Sequence, residues 1–315
     1  MTTPFEELLE ELLRSDAFSV GARLHEFSHL AAEGAAALAE IWPSIPDPVR
    51  RTLVTRLVEL AEADFEMDFG SVFRLGLQDE DADVRRAAID GLWEDEDVRL
   101  VPLLVARLLE DAATGVRCAA ATSLGRFVLL GELQKIRPRV YQAAYDALWR
   151  CYLTNAEASD VQRRALESLS YVDSDDVARL IEQAYAAPHE KTRVSAVFAM
   201  GRSASHRWDS QVRQELFSPN PEMRYEGARA CGEIGIDEAV PELEELADDV
   251  DPEVQEAALW ALGQIGGSRA RQVLERYALS ENEAAREAAE AALAEFEFLH
   301  GDLADLFDRL IEEDD

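Results

Sequence analysis

The residues with the clearest catalytic spelling are His25-Glu26-Phe27-Ser28-His29. On an α-helix, H-E-x-x-H sets two histidines on one face to hold zinc, with the glutamate between them as general base. The rest of that arrangement is missing. Ala32 stands where the extended protease form needs glycine, and no third histidine follows at the proper distance. The downstream position that usually supplies a glutamate holds Pro48 or Val49, and Glu33, one turn past His29, is not its substitute. His25 and His29 therefore read as a coincidence of spelling, and no metal or cofactor is expected. His189, His206 and His300 are isolated. No phosphate-binding loop, dinucleotide fingerprint, G-x-S-x-G or C-x-x-C occurs, and the acidic clusters lack the ordered oxygen ligands and glycine turn of a calcium loop. The expectation is a protein without catalysis of its own.

What recurs instead is a step. Thr192-Arg193, Met223-Arg224, Val254-Gln255 and Ala285-Arg286 follow one another at 31 residues, and Val49-Arg50, Val84-Arg85, Val116-Arg117 and Val161-Gln162 extend the series backwards at 35, 32 and 45. Each pair opens a worn version of V-R-x-x-A-x-x-x-L-G, which predicts eight stacked helical hairpins. Asp81, Asn220, Asp251 and Asn282 stand as N-caps, with Pro221 and Pro252 in the first helical position. The glycine closing the motif suits either a left-handed C-cap or a close helix crossing. First helices are read from VRLVPLLVARLLED, DDVARLIEQAYAA and AVPELEELADD. The wide step of 45 is assigned to a longer loop and first helix in the fourth repeat. Residues 1–45 are expected to form an N-terminal helical cap, 46–296 the array, and 297–315 an amphipathic closing helix built on Phe298, Leu303, Leu306, Phe307, Leu310 and Ile311.

With the motif's register and its ~31-residue hairpin, the stretch from Pro46 to Ala294 resembles the HEAT repeats, in particular the short subclass first described in phycobilin lyases. The resemblance implies an all-α fold, a right-handed α-solenoid (superhelix) of about eight HEAT-like hairpins, with second helices lining the concave side. It also implies that the arginine after the valine ties repeats together through loop acids such as Asp79, Asp111 and Asp249. Arg85, Arg117, Arg193, Arg224 and Arg286 are the candidates for that ladder. The motif is specific for architecture and not for function; the first functional reading is a non-catalytic scaffold or adaptor that holds a protein or peptide in its concave groove. The alternatives from other classes are a phycobilin-lyase-like or other small-molecule enzyme using the same groove, and a helical-repeat DNA-repair enzyme.

Counting each second helix from its valine as zero, positions 0, 4, 5 and 8 share the core face. Positions 2 and 6 point away from it, and there the repeats stop being uniform. The first four carry mostly polar pairs, Arg51/Thr55, Arg86/Asp90, Cys118/Thr122 and Arg163/Glu167. The next three carry Val194/Phe198, Tyr225/Arg229 and Glu256/Trp260. With stacked helices ~10 Å apart, Val194, Phe198, Tyr225 and Trp260 are expected to form one patch with Arg229 beside it. Exposed aromatic surface rimmed by charge is the composition of a binding hot spot, the rival readings being cover by a C-terminal helix that folds back and plain side-chain scatter.

The 315 residues carry a net charge of −33, and Lys135 and Lys191 are the only lysines. So acidic a surface repels phosphate backbones and anionic bilayers, so a protein or peptide is expected as partner and neither nucleic acid nor membrane; the charge reads first as a device for solubility, and steering of a basic partner is the sharper alternative. No apolar run is long enough to span a bilayer, the acidic start lacks the basic region of a secretory signal, and Cys118, Cys151 and Cys231 are odd in number and far apart. A cytoplasmic protein is the expectation.

Overall fold

The computed structural model describes residues 4–14, 21–154 and 159–300, and among these every regular element is helical. The chain divides into two compact units, Met1–Ser168 and Leu169–Asp315. The first contains α1 (Pro4–Leu13), α2 (Ala32–Ile41), α3 (Asp47–Ala63), α4 (Gly70–Gly76), α5 (Ala82–Asp90), α6 (Leu100–Glu110), α7 (Thr114–Glu132), α8 (Pro138–Thr154) and most of α9 (Ser159–Leu169). The second contains α10 (Asp175–Tyr185), α11 (Glu190–Arg202), α12 (Asp209–Glu215), α13 (Pro221–Ile234), α14 (Val240–Leu246), α15 (Pro252–Ile265), α16 (Gly267–Tyr277) and α17 (Glu283–His300). Each unit is a piece of α-solenoid. In the second, α11, α13, α15 and α17 pack side by side as one layer, and the first helices α12, α14 and α16 pack against them as the other.

Local chemistry explains where these helices start and stop. The carboxylate of Asp81 accepts from the amides of Asp83 and Val84, Asn220 accepts from Glu222, Asp251 from Glu253 and Asn282 from Ala284. These side chains satisfy amides that the first turn leaves unpaired. At the other end Gly235 adopts φ +79° and lets the amides of Gly235 and Ile236 both bond the Cys231 carbonyl at 3.0 Å. Between the ends, the core positions are closed: Val84, Ala88, Ile89 and Leu92 are at most 2% exposed. The α1 stretch likewise buries Leu8 and Leu12 completely.

The motif glycines lie inside the helices and serve as crossing points. A Cβ on Gly201 would stand 2.8 Å from the Ala230 Cα, one on Gly232 2.9 Å from the Ala261 Cα, and one on Gly263 2.7 Å from the Ala292 carbonyl oxygen. Position 9 of one second helix thus meets position 7 of the next, backbone to backbone. Gly263→Val is expected to cost about 3 kcal/mol, the upper end of overpacking penalties. Gly115→Ala, where an added Cβ meets only the flexible Arg86 side chain at 3.5 Å, should be neutral within about 0.5 kcal/mol. Urea unfolding of both variants checks this, and equal midpoints would contradict it.

The wide step between the third and fourth repeats is built differently from the expectation. The wide step is taken up by two long helices, α7 with 19 residues and α8 with 17, so the extra length falls in the second helix of the third repeat as well as in the first helix of the fourth. Of the segment 297–315, only residues 297–300 are described, and they continue α17, which runs without a break to His300. Phe298 is 76% exposed; Leu303, Leu306, Phe307, Leu310 and Ile311 lie outside the described residues.

Candidate functional site

The H-E-x-x-H spelling does not sit on an α-helix. Residues Gly21–Phe27 form a 3-10 helix that ends before His29, and His29 has φ +51°. The two imidazoles therefore do not share a helix face as zinc binding requires. Glu26 is engaged by Arg23 at 2.6 Å, whose hydrogen bond holds its carboxyl below the usual range. His29 Nε2 lies 2.9 Å from the Glu66 carbonyl oxygen. Its role is to tie two turns together.

The arginines at position 1 work at the turns between first and second helices. Arg85 donates to Asp111 of the next repeat through two bonds of 2.7 and 2.8 Å, and to the carbonyls of Asp79 and Glu80 behind it at 2.8 Å each. Arg224 repeats this geometry with Asp249 at 2.7 and 2.8 Å and the Ser218 carbonyl at 2.9 Å. Arg193 and Arg286 reach back to the carbonyls of Ala187 and Ser280 at 3.3 Å. The residue in register with Asp249 ahead of Arg193 is Ser218, which offers no carboxylate. Gln255 makes the same backward bond, to the Asp249 carbonyl at 2.6 Å. Arg117 is half-buried in α7. One member was missed in the sequence: Arg50 donates to the buried Asp79 at 3.2 Å, and Trp42 Nε1 joins it at 2.7 Å. Its register, directly after Val49, was the available signal. The common element is the backward clamp on the preceding turn, and the bridge to the next repeat forms where an acid stands in register.

These bonds set a pH dependence. Hydrogen bonds from Arg51 to Asp81 and from Arg99 to Asp97 depress both carboxyls to about 2. Asp249 is lowered mainly by Arg224; at Asp111 burial opposes ionisation, but Arg85, the Ala113 amide and Arg107 outweigh it. A carboxylate with a depressed folded pKa adds stability that is present above its unfolded value, near 3.8, and lost as pH falls toward 2. At −33, mild acidification also relieves self-repulsion. Stability is therefore expected to peak near pH ~5 and drop steeply below pH ~4, which thermal melts across pH would show.

The candidate binding surface lies on the second-helix layer of the second unit. Phe198 on α11, Tyr225 and Arg229 on α13, and Trp260 on α15 are all half-buried. The Arg229 guanidinium stands 3.8 Å over the centroid of the Trp260 ring, and Arg202 lies 5.2 Å from that of Phe198. Trp260 also leans over α13 at Gly232, where a Cβ would come within 2.7 Å of its ring. Glu233 sits between the two cations, 3.6 Å from Arg202 and 3.7 Å from Arg229. Burial pushes the Glu233 carboxyl up, and the two arginines pull it back. Aromatic faces and guanidinium planes are thus held in order by a shared carboxylate.

The surface differs from the expected patch by one residue lost and two gained. Val194 is 5% exposed and packs inside, so it is not part of the surface. Arg202 and Glu233, at position 10, belong to the cluster. Position 10 lies one turn above position 6 and about 40° from it around the helix, so the signal was present in the spacing. Position 2 lies about 20° from the direction of position 9, which faces the next helix, and a small apolar side chain there is drawn into the seam.

Comparison with known proteins agrees with this architecture. No curated protein matches the sequence. Among solved structures, yeast importin-beta is 13% identical, with 93% of this chain and 46% of importin-beta covered and a TM-score of 0.54. Human deoxyhypusine hydroxylase in complex with glycerol is 18% identical over 89% of this chain and 99% of that one, with a TM-score of 0.38. The protein YibA of E. coli is 17% identical over 76% and 96%, with a TM-score of 0.44. The chain spans less than half of importin-beta, and at such identity the likeness is one of fold. A sequence model of HEAT repeats matches residues 71–169 and 210–294, more than half of the chain. This chain belongs to the HEAT-repeat family.

Proposed function

We propose that the protein is a non-catalytic scaffold that holds a peptide segment of a partner protein on the second-helix layer of residues 190–265. The observation that supports this most is the ordered stack of Arg229 on Trp260 at 3.8 Å, with Phe198 and Tyr225 half-exposed on the neighbouring helices. Half-exposed aromatic and arginine side chains held rigidly lose little entropy on binding, and such residues dominate interface energies. The partner segment supplies an apolar or aromatic anchor and is neutral or basic overall, drawn in by the −33 field. A cytoplasmic setting fits three cysteines that form no disulfide, and no described helix is long and apolar enough to cross a membrane.

Selection of peptides from a displayed random library on the purified full chain tests the proposal. Enriched peptides should lose binding to the Phe198→Asp, Trp260→Ala double variant. Peptides that bind the double variant equally well would place the binding surface elsewhere.

A further inference from the structure

Two turns of the first unit display aromatic rings that the repeat packing does not use. Phe65, in the turn between α3 and α4, is 79% exposed, and Trp93, in the turn between α5 and α6, is 52% exposed. Both line a cleft of about 410 Å³ whose other walls include Asp68, Phe73, Glu94 and Asp95. The turns are held firmly. The Asp68 amide donates to Ser28 Oγ at 3.0 Å, and the Asp68 carboxylate accepts from the Gly70 amide at 2.8 Å. Arg74 pairs with Asp95 and reaches Asp97 at 3.4 Å. Gly91 closes the second turn onto the Phe73 ring, where any Cβ would come within 2.5 Å. Trp93 is thereby left facing solvent at the rim.

We infer that this cleft binds an arginine side chain of a basic peptide, with Phe65 and Trp93 offering ring faces and Asp68 and Glu94 the opposing charge. Aromatic faces attract cations through their quadrupole, and a planar guanidinium both stacks on a ring and forks toward carboxylates. Among the described residues lining the cleft, Arg74 is the one arginine or lysine, against the carboxylates of Asp68, Glu94 and Asp95, so the wall carries net negative charge. The volume exceeds that of a single guanidinium and leaves room for the side chain's stem and a piece of backbone. The −33 field of the chain favours the same sign of ligand at long range. This inference uses the first unit alone and stands apart from the binding surface proposed on the second.

Fluorescence anisotropy with a fluorescein-labelled Gly-Gly-Arg-Leu-Arg-Gly-Gly peptide and the full chain, at ~150 mM salt so that surface charges are screened beyond ~8 Å, tests it. The double variant Phe65→Ser, Trp93→Ser keeps the net charge and is expected to bind at least ~10-fold more weakly, about 1.4 kcal/mol. Replacing both arginines of the peptide by neutral citrulline should weaken binding to the wild type by a similar factor. Trp93→Phe, which keeps a ring, should retain most of the affinity even if the double variant folds poorly. Wild-type affinity in the charge-neutral double variant would show that the field alone attracts the peptide. Equal binding of the citrulline peptide would show an apolar site, and failure of the arginine peptide to bind the wild type would remove the site. Each of these three results overturns the inference.

Discussion

Replacing Asp111 by alanine is expected to destabilise the protein by about 3–5 kcal/mol, the cost of breaking a buried ion pair by removing one partner. The Asp111 side chain is 1% exposed and that of Arg85 is 10% exposed. The carboxylate receives Arg85 twice, the Ala113 amide at 2.9 Å and Arg107 at 3.2 Å. Its loss strands a guanidinium in a closed turn and leaves a backbone amide without its acceptor. An exposed pair gives the contrast. Arg271 and Glu275 are bonded at 2.9 Å, but their side chains are 51% and 53% exposed, so Glu275→Ala should cost less than about 0.5 kcal/mol. Chemical denaturation separates the two. A loss of under about 1 kcal/mol for Asp111→Ala would mean that the turn acids are surface decoration, and the ladder would cease to explain the stack.

Trp260→Ala is the second large effect, and it concerns binding. Truncating a central aromatic anchor typically costs at least ~2 kcal/mol of affinity, which corresponds to about 30-fold in dissociation constant. Three losses combine here: the ring's own contact, the face on which Arg229 rests, and the order that Trp260 gives to the Arg229–Glu233–Arg202 row. Glu233→Gln tests that last part alone. It removes the charge that holds both guanidiniums while keeping the shape, and should weaken binding by a smaller factor than Trp260→Ala. Because Trp260 is half-buried, the melting temperature of each variant must be measured beside its affinity. A ligand isolated on the wild type that binds Trp260→Ala unchanged would remove the aromatic patch from the interface.

Much of the architecture was legible because a repeat states its packing rules several times. Val, Ala and Leu at positions 0, 4 and 8 bury the same stripe in successive helices, and Asp81, Asn220 and Asp251 cap where a polar residue precedes the register. The ladder could be read where its acid is present, as at Asp111, and not where Ser218 replaces it. What the sequence did not resolve depends on the direction normal to the helix axis. Val194 is 5% exposed, and whether such a position faces the groove or is buried depends on the helices packed around α11, which its own spacing does not state. The same holds for Glu233, whose place between Arg202 and Arg229 needs α11 and α13 side by side. The H-E-x-x-H spelling failed for a backbone reason, since a 3-10 helix and a positive φ at His29 break the face that the motif presumes.

The central claim is that a partner segment lies across the second-helix layer between Phe198 and Trp260. A photo-reactive benzoylphenylalanine placed at Tyr225 sits in the middle of that layer, and the same group at the exposed Glu245, on first helix α14, sits on the other. Cross-linking of the full chain to a peptide selected on it, read by mass spectrometry, is the direct measurement. Covalent adducts are expected from position 225, disappearing when unlabelled peptide competes, and none from position 245. Adducts from position 245 alone would contradict it.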